Sequence, residues 1–222
     1  MTRHRLARQE WGPEGGRPLV LLHALGESAD DWADIAPALA ADRRVLAPDL
    51  RGHGRSPWPG DYALESMAAD VAGLMDDLAL DRADVVGHSM GGVVAHLLAQ
   101  EHPGRVARLV LEDVPVPRPR DPVPPVRPPG ELPFDWGMVL AVRHQLDTPD
   151  PRWLERLPLI EAETLLLAGG PTSHVDQEGI AEFAERLPSG RAITIPVGHL
   201  IHRAAPQQFL HHVTEFLAPP GP

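Results

Sequence analysis

The sequence predicts an α/β fold, a mostly parallel central sheet with helices on both faces. Short apolar runs of strand length alternate with longer segments of helical periodicity along nearly all 222 residues, the pattern of βαβ units. The runs end beside residues able to do chemistry, among them His23, Asp49, Ser89, Asp113 and His199. That is the expectation for an open parallel sheet, which gathers ligands outside the carboxyl ends of its strands. One proline-dense stretch interrupts the alternation.

The elements follow in order. Residues 18–23, Pro-Leu-Val-Leu-Leu-His, predict a strand buried on both faces. Residues 44–48 predict the next, closed by Pro48-Asp49, and Val85-Val86 belong to a third that ends at Gly87. Further strands are expected over 106–112, 164–168 and 192–196. Between them, Met67, Val71, Leu74, Met75 and Leu78 share one helical face, as do Val93, Val94, Leu97 and Leu98 before His102-Pro103 stops that helix. Ile180, Phe183, Ala184 and Leu187 repeat the pattern, and so do Phe209, Val213, Phe216 and Leu217. No internal repeat is visible.

Proline makes up 26 of the 222 residues, more than twice the usual share of about 5%. Nine prolines fall between residues 115 and 133, which excludes a helix interior or a central strand there. The sequence therefore divides into an α/β core, residues 1–113 and 161–222, and a short cap or lid insertion, residues 114–160. Phe134, Trp136 and Trp153 favour a packed lid over a free linker, with one short helix within 134–146. Trp136, Met138, Val139 and Val142 on that helix, with Leu25 and Trp32 from below, are candidates for the walls of a pocket, though each fits plain core packing equally, the more frequent fate of such residues.

Composition excludes several chemistries. No cysteine is present, which removes disulfides, thiolate metal sites and a cysteine nucleophile; no lysine is present, which removes a lysine Schiff base and a P-loop lysine. A formal charge of −11, with no basic cluster visible in the sequence, opposes binding to nucleic acid or to an anionic membrane. No apolar run approaches the ~20 residues of a membrane span, and no apolar core follows the charged N-terminal residues as a signal peptide requires. The expectation is a cytoplasmic protein acting on a small molecule, with no metal and no organic cofactor. Oligomeric state is not readable.

The sharpest motif is Gly87-His88-Ser89-Met90-Gly91, followed by Gly92, between a strand and a helix. A tight strand-to-helix turn strains the serine backbone, tolerates only small residues two positions either side, and lifts the hydroxyl clear of the sheet. The positive end of the following helix points where an oxyanion would develop. Here the chain resembles the α/β-hydrolase family, from about residue 5 to 218, least well over 115–160. Leu22-His23-Ala24-Leu25-Gly26 resembles that family's oxyanion loop, Asp49-Leu-Arg-Gly-His-Gly-Arg-Ser56 the loop after the next strand, and Gly198-His199 the segment bearing its catalytic histidine.

The resemblance implies Ser89 as nucleophile and His199 as base. His202 is the rival base but should face away from the serine, His88 should point inward, and His23 and His53 should stabilise loops. The acid departs from the commoner pattern: after the strand at 164–168, Ser173 stands where an aspartate would be expected. Asp113, at the alternative position one strand earlier, is the preferred acid; Asp176 and a Ser–His dyad stay open. Glu112 should face the other side of the strand from Asp113. The oxyanion hole would use the backbone N–H groups of Leu25 and Met90, with Ala24 in place of a frequent glycine. The expected activity is a serine hydrolase cleaving a small or medium apolar ester, thioester or lactone through an acyl-enzyme. Alternatives are C–C bond hydrolysis, acyl transfer or cyclisation on the same fold, or a non-catalytic ligand-binding relative.

Overall fold

The computed structural model describes residues 3–218. Seven strands form one sheet: β1 (Arg8–Trp11), β2 (Arg17–Leu22), β3 (Arg43–Pro48), β4 (Ala83–His88), β5 (Val106–Glu112), β6 (Glu163–Ala168) and β7 (Gly190–Thr194). Their spatial order is β1-β3-β2-β4-β5-β6-β7, with every pairing parallel except β1 against β3. Among the described residues eight α-helices accompany them: α1 (Ala36–Leu39), α2 (Leu64–Asp77), α3 (Met90–Glu101), α4 (Trp136–Asp147), α5 (Pro151–Glu155), α6 (Gln177–Arg186), α7 (Ile201–Ala204) and α8 (Pro206–Leu217).

Continuous apolar strands bury both faces, and the two-residue side-chain period sorts them into two cores. Val20, Leu22, Val85, Leu109, Leu111 and Leu166 face α2, α3 and α6, where Met67, Val71, Val94, Leu97 and Phe183 meet them. Leu19, Leu21, Val86, Val110, Leu165 and Leu167 face α1 and α8, against Trp32, Ile35, Phe209 and Val213. Each such side chain, fully buried, contributes roughly 1.5–3 kcal/mol.

Two elements differ from the sequence reading. β1 went unread because Arg-Gln-Glu-Trp has no apolar run; it is a half-exposed edge strand whose pairing comes from β3, in register from Arg8 opposite Pro48 to Trp11 opposite Val45. The last strand occupies Gly190–Thr194 rather than 192–196. Pro196 has no N–H for the ladder, and Gly190 starts the register opposite Thr164.

The chain leaves β2 toward β3 on one side and β4 lies on the other, so the strand order reverses between β2 and β4. Such a reversal opens a crevice at the carboxyl edge. Between β5 and β6, residues 114–133 carry no regular element and are largely exposed from Arg118 onward, as their prolines require. Backbone bonds tie the stretch down: Val116 N–H donates to the Gly179 carbonyl and Arg120 N–H to the Asp147 carbonyl. Asp135 caps α4 by accepting from Gly137 N–H and receives the Tyr62 hydroxyl at 2.5 Å. Trp153 donates its indole N–H to Glu65 at 2.8 Å, which anchors α5 to α2.

Candidate active site

Ser89 sits in the turn between β4 and α3 at φ 51°, ψ −116°, a left-handed conformation that side-chain-bearing residues rarely adopt. Its glycines are required sterically. A Cβ on Gly87 would stand 2.5 Å from the Gly91 carbonyl oxygen, one on Gly91 would strike the Leu22 carbonyl, and one on Gly92 would strike Val114. The Ser89 N–H donates to the Glu112 carbonyl at 3.0 Å, and its own carbonyl accepts from Gly92 and Val93 to begin α3. The serine thus stands at the positive end of a twelve-residue helix.

Asp113 follows β5, also in the left-handed region at φ 53°, and is buried. His199 Nδ1 lies 2.7 Å from Asp113 Oδ2. The same oxygen accepts from the Ser173 hydroxyl at 2.5 Å, while Oδ1 accepts from Gly169 N–H at 2.8 Å and from the Gln177 amide at 3.2 Å. Burial pushes the carboxyl up, but the bonds from His199, Ser173, Gly169 and Gln177 outweigh it and hold Asp113 below its ordinary value. Ser173, the residue that departs from the commoner pattern, therefore serves as a donor to the carboxylate. Asp176 instead caps α6, accepting from Glu178 N–H at 3.1 Å.

With Nδ1–H donated to a carboxylate, His199 presents Nε2 as a lone pair. Its backbone is held by His88, whose Nε2 lies 2.9 Å from the His199 carbonyl. Burial holds His88 below its ordinary value, so the ring is neutral and donates there. His174 meets the His199 ring edge-on at 4.4 Å.

Glu112 faces away from Asp113, as alternation demands, and accepts from His202 N–H and Nδ1, both at 2.9 Å. His202 Nε2 reaches Asp31 at 3.0 Å, and Arg203 bonds the same carboxylate. Burial lowers the His202 pKa, but Glu112 and Asp31 together raise it to about 9. A folded-state pKa above the unfolded value of about 6.5 contributes stability that is fully present below pH 6.5 and lost as pH rises through about 9. Denaturant unfolding at pH 6.5 and pH 9.5 should therefore show a loss of roughly 2–3 kcal/mol. A flat profile across that range would contradict an imidazolium at this position.

Two further histidines pin the loops. His23 Nδ1 donates to the Ala24 carbonyl at 2.8 Å and its Nε2 accepts from Leu50 N–H at 3.0 Å. His53 Nε2 accepts from Gly26 N–H at 3.1 Å and its Nδ1 lies 3.1 Å from the Arg51 carbonyl. Burial holds both below their ordinary values, so each is a neutral tautomer fixed by its partners. Leu25 and Met90 border the same cavity as Ser89. Neither N–H is used by the loop bonds around Gly26 and Glu27 or by the first-turn bonds of α3.

That cavity, about 560 Å³, also reaches Asp113, His199 and residues 114–120. Its walls decide which of the candidate residues line a pocket and which pack in the core. Leu25 lines it, but Trp32 is buried on the opposite face of the sheet, 4.5 Å from the His202 ring. Met138, Val139 and Val142 turn into the core with α2 and α3, and Trp136 packs at its edge. The next face of α4 supplies Arg143 and Leu146 instead, and α5 supplies Trp153. Arg118 and Arg120 border the cavity too, so a local basic group exists that linear sequence did not reveal.

Comparison with known proteins agrees with this architecture. The model of the alpha/beta hydrolase fold family matches residues 17–145. A mouse sn-1-specific diacylglycerol lipase, ABHD11, is 30% identical over 251 aligned positions, covering 90% of this chain and 80% of the relative. A 2-hydroxy-6-oxo-2,4-heptadienoate hydrolase of Pseudomonas putida is 44% identical over 101 residues, 43% of this chain and 37% of that protein. The chain spans well under half the length of several curated relatives it matches at higher local identity, 28% in one case. Among solved structures, a hydrolase from Pseudomonas aeruginosa superposes with a TM-score of 0.77 at 27% identity, covering 96% of this chain and 94% of the other. The chain belongs to the α/β-hydrolase family and is an enzyme of that class. Among the described residues no helix is long and apolar enough to cross a membrane.

Proposed function

We propose that the chain is a serine hydrolase that cleaves a small or medium ester, thioester or lactone with an apolar chain, using Ser89, His199 and Asp113. The observation that carries this reading is the 2.7 Å contact between His199 Nδ1 and an Asp113 carboxylate held by three further donors. Serine is a poor nucleophile unless a base takes its proton. In this reading Ser89 Oγ attacks the carbonyl carbon as His199 Nε2 accepts the hydroxyl proton, and Asp113 stabilises the imidazolium without taking the proton itself. The oxyanion forms between the N–H groups of Leu25 and Met90, at the N-terminus of α3. Collapse expels the leaving group, which His199 protonates, and water discharges the acyl-enzyme by the same steps reversed.

Residues 114–160 act as a cap that supplies one wall of the pocket, over a core formed by 1–113 and 161–222. The substrate is a small molecule, the chemistry uses no metal or organic cofactor, and the setting is cytoplasmic. A second reading, C–C bond hydrolysis by the same three residues, is favoured by the local identity to the heptadienoate hydrolase.

A fluorophosphonate probe tests the nucleophile directly. It should leave one adduct on Ser89, located by peptide mass spectrometry, and prior denaturation should abolish it. An adduct elsewhere, or none, would overturn the assignment.

A further inference from the structure

Acidic residues outnumber Lys and Arg 31 to 20 in this chain, yet three arginines, Arg118, Arg120 and Arg143, border the cavity that holds Ser89. Two of them are neutralised. Arg118 pairs with Glu182, and Arg120 reaches Asp147 at 2.7 Å. Arg143 differs. Among the described residues it has no carboxylate partner; its one hydrogen bond goes to the Val123 carbonyl at 3.2 Å, and its Nε is buried with none. A half-buried guanidinium without an anion is costly, because it gives up hydration and gains no counter-charge. Thirty-one carboxylates were available to the chain, and none is placed against it.

Position adds to this. Arg120, Arg143 and His174 border the same cavity as His199, and the His174 and His199 ring centroids lie 4.4 Å apart. The unpaired cation therefore belongs to the reaction chamber, on the α4 wall shared with Leu146. A guanidinium offers a planar fork of donors that matches a carboxylate or phosphate in two parallel bonds, whereas a neutral ester needs no such group.

We propose that the cavity takes an ester or thioester bearing an anionic group, and that Arg143, flanked by Arg120, grips that group while Ser89 attacks the carbonyl. The proposal rests on the reading of Ser89 as nucleophile and adds the charge of the substrate. The anion sits on the part of the substrate beneath the proline-rich stretch, and the apolar chain takes the remaining wall at Val93 and Trp153.

Two matched pairs test it. 4-Butyryloxybenzoate against its methyl ester isolates a carboxylate, and butyryl-coenzyme A against butyryl-pantetheine isolates phosphates. In at least one pair the anionic member should have the higher kcat/KM, by roughly 10-fold or more and mainly through KM, and added salt should erode the gain. Arg143→Met should remove the preference by lowering kcat/KM for the anionic member far more than for the neutral one, and Arg143→Lys should restore part of it. Neutral members preferred or equal in both pairs, or a preference that survives Arg143→Met, would overturn the proposal. If no ester or thioester is turned over, the nucleophile reading fails separately. Calorimetry with 4-hydroxybenzoate and inorganic phosphate then decides the anion site. Binding weakened by Arg143→Met supports it, and no binding or equal binding by both proteins refutes it.

Discussion

Replacing Ser89 by alanine should lower kcat for a short-chain p-nitrophenyl ester on the order of 10⁶-fold, with the fold intact. The size follows from the division of labour. His199 can take a proton only from a group that then attacks, so without the hydroxyl the base and the acid act on nothing. The residual rate measures what the oxyanion donors and binding contribute alone, about 10³–10⁴ over water where such sites have been dissected. The substitution removes one oxygen from a residue whose backbone, at φ 51°, is already strained. Stability should therefore change little, and circular dichroism with thermal melting would verify that the loss is chemical. Equal rates for the two proteins would remove Ser89 from the role of nucleophile.

Asp113→Asn should lower kcat about 10³–10⁴-fold with little change in KM. A carboxylate accepts only, so it fixes the His199 tautomer with hydrogen on Nδ1 and the lone pair on Nε2. An amide can present its NH₂ to Nδ1 instead, which leaves the proton on Nε2, the wrong nitrogen for a base. The environment favours that failure, because Gly169 N–H, the Ser173 hydroxyl and the Gln177 amide all donate toward this group. Asp176→Asn is the matched control. Asparagine caps a helix about as well as aspartate, so α6 should keep its N-cap and activity should stay within about twofold. A large loss from Asp176→Asn with Asp113→Asn unaffected would reverse the choice of acid.

The donors around Asp113 explain why a candidate acid is the hardest residue to assign from sequence. Its donors come from positions 169, 173, 177 and 199, and no local pattern links them to position 113. Ser173 looked like a missing aspartate and proves to be a hydroxyl aimed at one. Glu112 was separable from Asp113 by strand alternation alone, a local rule with a two-residue period. Its partners His202 and Asp31 were not, because α7 and the turn at 29–32, far apart in sequence, meet only when both pack on one face of the sheet.

The pocket walls show the same limit. Met138, Val139 and Val142 read equally as pocket wall or as core, because an apolar helix face serves either. The helix uses that face to bury itself on the core, and Arg143 and Leu146, beside it on the helical wheel, meet the cavity instead. Trp32 is decided in the same way. It follows the loop at 23–26 closely in sequence, and a 3₁₀ turn at Ala29–Trp32, capped by Ser28, carries it into the core beneath the sheet.

Sequence by itself determined the class of fold, six of the seven strands, and the motif that makes Ser89 the candidate nucleophile. These are local properties: apolar runs, helical periodicity and the glycines of a strained turn all act within about ten residues of one another. Only the tertiary structure decided what holds Asp113, which face of α4 meets the cavity, and that three arginines of an acidic chain converge there. Those facts depend on groups tens of residues apart being brought together by burial of the two cores. Hydrophobic burial is non-directional, so its sequence pattern foretells that elements pack and leaves open which polar groups meet when they do.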